Sequence, residues 1–381
     1  MRGSSLFADK IVTGKKADVN FLIACVLLIG MGSMTLYSVS GATAVRILKG
    51  DSYFIIHQLR VLAVSIFALV LMSVINFEYL RKYLPLIVAI ALILCVLTII
   101  PGIGIEKKGA RRWLGIKKVF EFQPSELIKL VIVLFLSNLF AKKYNRLDEL
   151  SVSVIPAMIM TSFFIFIIYM QKDFSTAIII MLVALVLFFF SGIKKRWFVI
   201  LFCFILPTVI LVVFTEPYRV RRIISFLNPA LDPYGASYQL NAAKRAIATG
   251  GFWGKGFGGI LKGTAIPEVQ SDFIFAGWAV EMGFFGVLLY FVLLIWFSIR
   301  GYIIAFRCKD RFGSLVALGA VSAILFQSLM NCGVVCGFLP STGIPLPFFS
   351  SGGSSMVVSM SLCGLIINVS RMNTSQGSVY E

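Results

Sequence analysis

The residues best suited to chemistry in this 381-residue chain are two acidic side chains that lie close to several basic ones. Asp272 follows Glu268 by four residues, and both come after a basic segment that contains Arg219, Arg221 and Arg222. A carboxylate can act as a general base or acid, and cations can hold an anionic group such as a phosphate. Asp272 by itself could be only a helix cap. Its acidic and basic neighbours favour a functional site.

Four further ionisable residues lie inside or beside apolar runs, where a charge is expensive and therefore a functional candidate. Glu126 and Lys129 are three residues apart, so on a helix they share one face and can neutralise each other. The pair could equally fix helix packing without contacting a substrate. Glu281 is either an interhelical hydrogen-bond partner or a catalyst, and Asp173 is expected chiefly to cap the helix that follows it.

Two glycine-rich stretches indicate backbone that bends sharply or approaches a ligand. Residues 250–259 have the glycine content of a phosphate-binding loop, but Lys255 is followed by glycine where a Walker A sequence requires Ser or Thr. Residues 348–355, which include Ser354, adjoin an apolar run, where irregular backbone is tolerated only against protein or a water-filled cavity. We therefore expect the second stretch to form a cavity wall.

The composition excludes a soluble globular protein. Hydrophobic residues make up 59% of the chain and charged residues 14%, whereas soluble proteins carry about 25% charged residues. The net charge of +18 predicts anionic partners, and lipid headgroups or a phosphate-bearing substrate fit better than nucleic acid, because no nucleic-acid-binding module is recognisable. The single histidine, His57, excludes a His-based metal cluster, and the seven cysteines are interpreted as small buried apolar residues.

Long apolar runs predict an all-α integral membrane protein, because roughly 20 apolar residues in a helix cross the hydrocarbon core with their backbone hydrogen bonds satisfied. About ten transmembrane helices are expected, at residues 19–40, 55–76, 83–101, 124–141, 152–171, 174–192, 197–214, 272–299, 312–338 and 345–369. The remainder of this single membrane domain, 1–381, consists of tails at 1–18 and 370–381, a basic loop at 102–123, and a large loop at 215–271 between helices 7 and 8. A cleaved signal peptide is disfavoured, since the first uncharged run is too long for one.

The charge of the loops predicts the orientation of the chain. Loops on the side of the N-terminus are consistently basic, so this side and both termini are expected to face the cytoplasm. The two loops expected on the extracytoplasmic side are also basic and break the rule. The cations of these loops include Arg111, Arg112, Lys117 and Lys118 in the first and Arg219, Arg221 and Arg222 in the second. Binding of an anionic substrate would explain the positive charge of these two loops.

Three motifs in this order resemble the SEDS (shape, elongation, division and sporulation) family of FtsW- and RodA-type proteins. They are Gly109-Ala110-Arg111-Arg112-Trp113 with Phe122-Gln123-Pro124-Ser125-Glu126-Leu127 and Lys129, then Pro267-Glu268 with Ser271-Asp272-Phe273-Ile274-Phe275-Ala276, then Gly337-Phe338-Leu339-Pro340 through Gly343-Ile344-Pro345 to Ser355. The resemblance spans nearly the whole chain.

The resemblance implies a ten-helix peptidoglycan glycosyltransferase of the bacterial cytoplasmic (inner) membrane that polymerises lipid II on the outer side. Implied partners are a class B penicillin-binding protein, which is a transpeptidase, and other division or elongation proteins. The family's essential loop aspartate falls on Asp272, a general base for the acceptor hydroxyl, while Glu268, Ser354 and the loop cations become candidate substrate contacts. Structural or site-supporting roles are expected for Glu126, Lys129, Asp173 and Glu281. A divalent cation, Mg²⁺ or Mn²⁺, is compatible with a diphosphate substrate, although the sequence contains no dedicated metal cage.

Some positions depart from the family pattern. The chain has Gln270-Ser271-Asp272 where His-Thr-Asp is usual, Lys172 and Ser175 within the usual Gln-Pro-Asp-Phe-Gly-Thr, and Ser351 where Tyr is common. Residues 109–113 favour the division branch and residues 342–347 the elongation branch, and we favour division. A flippase or other transporter of lipid-linked precursors, and a non-catalytic membrane scaffold, are the alternative functions.

Overall fold

The protein is described by a computed structural model at residues 16–47, 51–107, 109–116, 120–147, 149–194, 196–199, 217–228, 237–259, 266–267 and 269–372. The α-helices within these residues are α1 (Val19–Ile47), α2 (Asp51–Val74), α3 (Phe77–Ile99), α4 (Pro124–Lys142), α5 (Ile155–Met170), α6 (Phe174–Phe190), α7 (Pro217–Leu227), α8 (Tyr238–Gly250), α9 (Ile274–Arg307), α10 (Arg311–Cys336) and α11 (Gly353–Met372). The basic loop between α3 and α4 folds into a small antiparallel sheet, ordered β1 (Ile105–Lys107), β2 (Ala110–Ile116) and β3 (Phe120–Phe122).

The prediction of a helical membrane protein is confirmed. In the described part of the chain, seven helices are long and apolar enough to cross a membrane, at Val19–Ser40, Phe77–Ile99, Pro124–Lys142, Leu150–Met170, Ile274–Arg307, Arg311–Cys336 and Gly353–Met372. Gln58–Val74 and Phe174–Phe190 are shorter apolar helices at two other predicted spans. The predicted span 197–214 lies almost entirely outside the described residues, so the number of ten stays a prediction.

The third helix begins earlier than the sequence suggested. The sequence predicts a start at residue 83, but α3 begins at Phe77 and contains the two cations Arg81 and Lys82. Asn76 caps this helix with its side-chain oxygen. Arg81 is tolerated because its Nε donates a hydrogen bond to Asn138 Oδ1 at 3.0 Å, so the charge is turned towards a neighbouring helix.

The last helix begins later than the sequence suggested, at Gly353 instead of residue 345. Residues 337–352, called the 337–352 segment below, connect α10 to α11 with irregular backbone. Backbone inside a membrane bundle must find hydrogen-bond partners in the protein, and side chains of neighbouring helices supply them. The bonds run from Ser175 Oγ to the Thr342 carbonyl (2.7 Å), from Asn331 Nδ2 to the Ile344 carbonyl (2.6 Å) and from Gln327 Nε2 to the Pro345 carbonyl (2.9 Å).

The centre of the bundle is formed by α4, α10 and α11, whose residues are mostly buried. Helix α11 crosses α2 closely at Gly364, where an added Cβ would lie 2.4 Å from the carbonyl oxygen of Leu69. Asn368 then donates from Nδ2 to the Met72 and Ile75 carbonyls at 3.0 and 2.7 Å, which satisfies the end of α2. The close crossing therefore requires glycine at position 364.

The start of the first helix and the end of the last helix meet at one end of the bundle. The amide of Asp18 donates to Ser370 Oγ at 3.1 Å, and the carboxylate of Asp18 pairs with Arg300 in the second half of α9. Asp272 precedes α9 and therefore lies at the opposite end of that helix.

Candidate active site

The end of the bundle at which α9 begins contains a cavity of about 1780 Å³. Its wall is made by the small sheet, the turn between α5 and α6, α7, the start of α9, the 337–352 segment and the start of α11. The charged side chains on this wall are Arg60, Lys107, Arg112, Lys172, Arg219, Arg222, Glu121, Glu126, Asp173 and Asp272. A cavity this large can hold a ligand bigger than a typical small molecule, and the excess of cations favours an anionic one.

Asp272 lies on the cavity wall and is half-buried. Phe273, and not Asp272, occupies the N-cap position of α9. The backbone carbonyl of Asp272 accepts a hydrogen bond from Asn331 Nδ2 at 2.8 Å. An ideal Cβ built on Gly343 would lie 3.3 Å from Asp272 Oδ2, and Gly343 has a φ of +71°, so glycine is required beside this carboxylate.

The residues just before Asp272 are fixed by the end of the 337–352 segment. The Ser351 amide donates to the Gln270 carbonyl at 2.9 Å, and Ser350 Oγ donates to the Ser271 carbonyl. The expectation that residues 348–355 form a cavity wall is confirmed from Ser351 to Ser355. The candidate base is therefore held by segments about 60 to 80 residues away in the sequence.

Asp173 caps α6, as expected, by accepting from the Thr176 amide at 3.4 Å. Its Oδ2 atom also accepts from Gln123 Nε2 at 2.9 Å, Ser125 Oγ at 2.8 Å and Thr176 Oγ1 at 3.0 Å. With only 3% of its surface exposed, the carboxylate joins the starts of α4 and α6. Its geometry is that of a residue supporting the cavity wall.

The two adjacent arginines of the first basic loop lie on opposite faces of β2, because side chains alternate along a strand. Arg112 lines the cavity and donates to the backbone carbonyls of residues 171–172, with Nη1 3.9 Å from Asp173 Oδ1. Arg111 pairs with Glu106 at 3.1 Å and is not part of the cavity wall. The sequence could not distinguish them, since both belong to the same motif.

Helix α7 brings two of its three arginines to the cavity. The guanidinium of Arg219 lies 4.6 Å from the centre of the Tyr169 ring, a cation–π contact. Arg222 donates to the Ser341 carbonyl at 2.6 Å. Arg221 is exposed and is not part of the wall. Among the predicted cations, Arg112, Arg219 and Arg222 are therefore brought together, whereas Arg111 and Arg221 are not.

Glu126 and Lys129 form the predicted pair inside the bundle. Lys129 Nζ lies 2.6 Å from Glu126 Oε2, and the side chains are 2% and 3% exposed. Lys129 also donates to Gln327, which in turn bonds Pro345 of the 337–352 segment. Glu126 reaches the cavity wall but Lys129 does not. The pair thus connects the floor of the cavity to α10.

Glu281 is fully buried and is not part of the cavity wall. Its Oε1 accepts from Ser38 Oγ of α1 and from the Gly258 amide at 3.2 Å. The glycine-rich stretch lies here against the break in α9 at Gly283, which has a φ of 62°. The Lys255 amide donates to a carbonyl of α9 at 2.9 Å. These contacts support the structural interpretations of Glu281 and of residues 250–259.

The remaining predicted site residues have different outcomes. Ser354 lines the cavity, but its Oγ accepts from the Gln123 amide at 2.9 Å and so also joins α11 to α4. Lys117, Lys118 and Glu268 lie outside the described residues, and their roles stay predictions.

Sequence reasoning did not select three residues of this site. Arg60 lines the cavity from α2, and a lone charge in an apolar run was a signal that could have found it. Lys172 lines the cavity too, and its departure from the family pattern was the available signal. Asn331 had no such signal, because its contacts to two loops depend on packing.

A metal would have to be held with the help of the substrate. Within the described residues, no three His, Cys, Asp or Glu side chains come together as a metal cage. Mg²⁺ is commonly held by one or two carboxylates together with phosphate oxygens, and Asp272 is a carboxylate on the cavity wall that fits such a role. Participation of Mg²⁺ or Mn²⁺ stays a prediction.

Together these features define a polytopic helical membrane protein with a large cation-rich cavity at one end of its bundle. The sequence model of the family described as "Cell cycle protein", which groups FtsW, RodA and SpoVE, matches residues 19–375. The chain therefore belongs to the FtsW/RodA/SpoVE family, which confirms the resemblance to SEDS proteins.

Curated relatives are similar over nearly their whole length. The stage V sporulation protein E of Bacillus subtilis (strain 168) is 35% identical over 366 residues, which cover 94% of this chain and 99% of that protein. A probable peptidoglycan glycosyltransferase FtsW of Borreliella burgdorferi is 36% identical over 354 residues, covering 92% and 96%. A protein of the same name from Geobacter sp. (strain M18) is 33% identical over 358 residues, covering 93% and 96%.

Two solved structures share the fold. One is described with the words "Structural coordination of polymerization and crosslinking by a peptidoglycan synthase complex". It has a TM-score of 0.75 at 23% identity, and the match covers 94% of this chain and 99% of that one. The other is the crystal structure of the rod shape determining protein RodA of Thermus thermophilus, with a TM-score of 0.65 at 22% identity and coverage of 93% and 97%. At these identities the likeness is one of fold.

Proposed function

We propose that this protein is a peptidoglycan glycosyltransferase that polymerises lipid II into glycan strands at the division septum. The observation that carries the proposal is the position of Asp272 on the wall of a large cavity lined by cations from sequence-distant elements. The names of the curated relatives support the same activity. The FtsW relatives and the motif at residues 109–113 favour division over elongation.

The proposed reaction joins the 4-hydroxyl of an acceptor sugar to the anomeric carbon of a donor, with inversion. Asp272 takes the hydroxyl proton, the new C–O bond forms, and the bond from the anomeric carbon to the diphosphate breaks with its electron pair leaving on the phosphate oxygen. A positioned base contributes about 10² to 10⁴ in rate. Cations on the wall, with Arg112, Arg219 and Arg222 as candidates, stabilise the charge on the departing diphosphate.

The location and partners follow from the same proposal. The protein would lie in the bacterial inner membrane with both termini in the cytoplasm and the cavity facing outwards, where lipid II is used. Its partner would be a class B penicillin-binding protein, and a solved relative in fold belongs to a peptidoglycan synthase complex. Other division or elongation proteins complete the set of expected partners.

Purified protein in liposomes containing labelled lipid II tests the proposal, with and without the transpeptidase partner. Long glycan strands are the expected product. Movement of lipid II across the bilayer without polymer would identify a flippase instead. Neither polymer nor movement under any partner condition would favour the scaffold.

The two neighbouring arginines of β2 give a matched test of the cavity. Arg112→Gln should raise the KM for lipid II about tenfold, because a charge-assisted contact to phosphate is lost. Arg111→Gln should change the KM by less than about twofold, as expected for an exposed ion pair. Steady-state kinetics check both values, and thermal unfolding checks that the turn held by Arg112 is intact. Equal effects of the two substitutions would contradict the assignment of Arg112 to the cavity.

A further inference from the structure

Lys172 occupies a backbone position that glycine normally takes. The Asp173 amide donates to the Ile168 carbonyl at 3.1 Å and the Lys172 amide to the Tyr169 carbonyl at 2.8 Å, which are the two hydrogen bonds of a Schellman motif at the end of α5. Lys172 has a φ of 59°, in the left-handed region where a β-carbon is strained. Strain of this kind concentrates at functional positions.

The Lys172 side chain is exposed on the cavity wall, and its ammonium has no hydrogen-bond or ion-pair partner among the described residues. Neighbouring cations give part of their hydrogen-bond donors to protein acceptors. Arg112 donates to the carbonyls of residues 171–172, and Lys107 pairs with Glu121. The three donors of the Lys172 ammonium are therefore available to a ligand in the cavity.

The charges around this turn are suited to a doubly charged anion. Arg112 contacts the turn directly, and Arg219 lies over the rings of Tyr169 and Phe174 on either side of it. The carboxylate of Asp173 is buried and accepts hydrogen bonds from α4. Three cations and one carboxylate leave two positive charges in excess, which would be balanced by a diphosphate.

We propose that Lys172 binds the diphosphate of the polyprenyl-linked sugar substrate, and that this contact is the function of a lysine side chain at a strained backbone position. This inference rests on the proposed function and names a contact within the same site. A lysine ammonium is a compact charge on a flexible stem, so it can follow the diphosphate while the backbone of the turn is held by Arg112. The side chain and the backbone of Lys172 thus have separate tasks.

Four substitutions separate charge from strain in the purified full-length protein. Lys172→Gln removes the charge and keeps the strain, Lys172→Gly removes both, Lys172→Asn removes the charge and eases the strain, and Lys172→Arg keeps both. The probes are a long-chain polyprenyl diphosphate and the matching polyprenyl alcohol, with phosphatidylglycerol as a competitor. Lys309→Gln, an exposed lysine in the loop between α9 and α10, is the control.

We expect loss of the charge to weaken polyprenyl diphosphate binding about tenfold, with Lys172→Arg recovering most of the affinity. Binding of the alcohol should be unchanged by these substitutions, and the Lys309→Gln variant should bind the diphosphate with wild-type affinity. Lys172→Gly should raise the melting temperature by about 2 °C while it loses affinity. Opposite changes in stability and affinity are not expected from a residue that is only structural.

Three results would overturn the inference. They are equal diphosphate affinity in wild type and Lys172→Gln, a loss of affinity that the Lys172→Arg variant does not recover, and displacement of the bound polyprenyl diphosphate by phosphatidylglycerol as effectively as by unlabelled polyprenyl diphosphate. The proposed function is tested separately with lipid II. If the protein forms polymer but its affinity for polyprenyl diphosphate does not depend on Lys172, this inference alone is wrong. If diphosphate binding depends on Lys172 but no polymer forms, the proposed function is wrong and the anion-binding site stands.

Discussion

Asp272→Asn is expected to reduce glycan polymerisation by about 10² to 10⁴-fold, because an amide of nearly the same shape cannot accept the proton of the acceptor hydroxyl. Folding should be retained, since the contact of Asn331 is to the backbone carbonyl of residue 272 and not to its side chain. The measurement is the initial rate of polymer formation from labelled lipid II, with the melting temperature taken on the same preparation.

A matched acid at the other end of the bundle provides the control for this substitution. Asp310 caps α10 by accepting from the Gly313 amide at 2.7 Å, and asparagine caps a helix about as well as aspartate. Asp310→Asn should therefore leave both polymerisation and stability unchanged. Normal turnover by Asp272→Asn would reject the base assignment, and an equal loss in both variants would show that the assay reports folding.

Lys129→Met is expected to destabilise the protein by about 3 to 5 kcal/mol, the range for removing one partner of a buried ion pair. The ammonium that it removes lies 2.6 Å from Glu126 in a nearly inaccessible site. The substitution also breaks the contact to Gln327 that links α4 to α10. Unfolding of the purified protein in a mild detergent, by heat or by denaturant, measures the change.

The double variant Glu126→Gln with Lys129→Met should recover much of this loss, because no unpaired charge is left inside the bundle. Lys142→Met, at an exposed position in the last turn of the same helix, should change stability by no more than about 0.5 kcal/mol. If Lys129→Met abolished polymerisation while stability stayed normal, the pair would act in the reaction instead of in the fold.

Sequence patterns predicted most of the helices because apolar length alone decides whether a segment partitions into a membrane. The errors came where tertiary contacts compensated for a local signal. The predicted span 83–101 leaves Arg81 out, but Asn138 gives this cation a hydrogen-bond partner and α3 includes it. The last span was placed too early because its apolar residues did not reveal that the 337–352 segment is irregular and depends on side chains such as Gln327.

Within the site, short-range relations were predictable and the selection among similar residues was not. The capping by Asp173 and the pairing of Glu126 with Lys129 each involve residues three apart, so helix geometry fixes them. Arg111 and Arg112 look equivalent in their motif, yet the pleat of β2 turns only Arg112 to the cavity.

By itself the sequence determined that this is a membrane protein, that it belongs to the FtsW/RodA/SpoVE family and that it carries a candidate base at Asp272. Its composition and local spacing are sufficient for those conclusions, because they depend on the chain's own chemistry over a few turns. The tertiary structure decided the cavity, the cations that line it and the exposed ammonium of Lys172. These features arise where elements far apart in the chain pack together, and no local pattern specifies which side chains then face the same space.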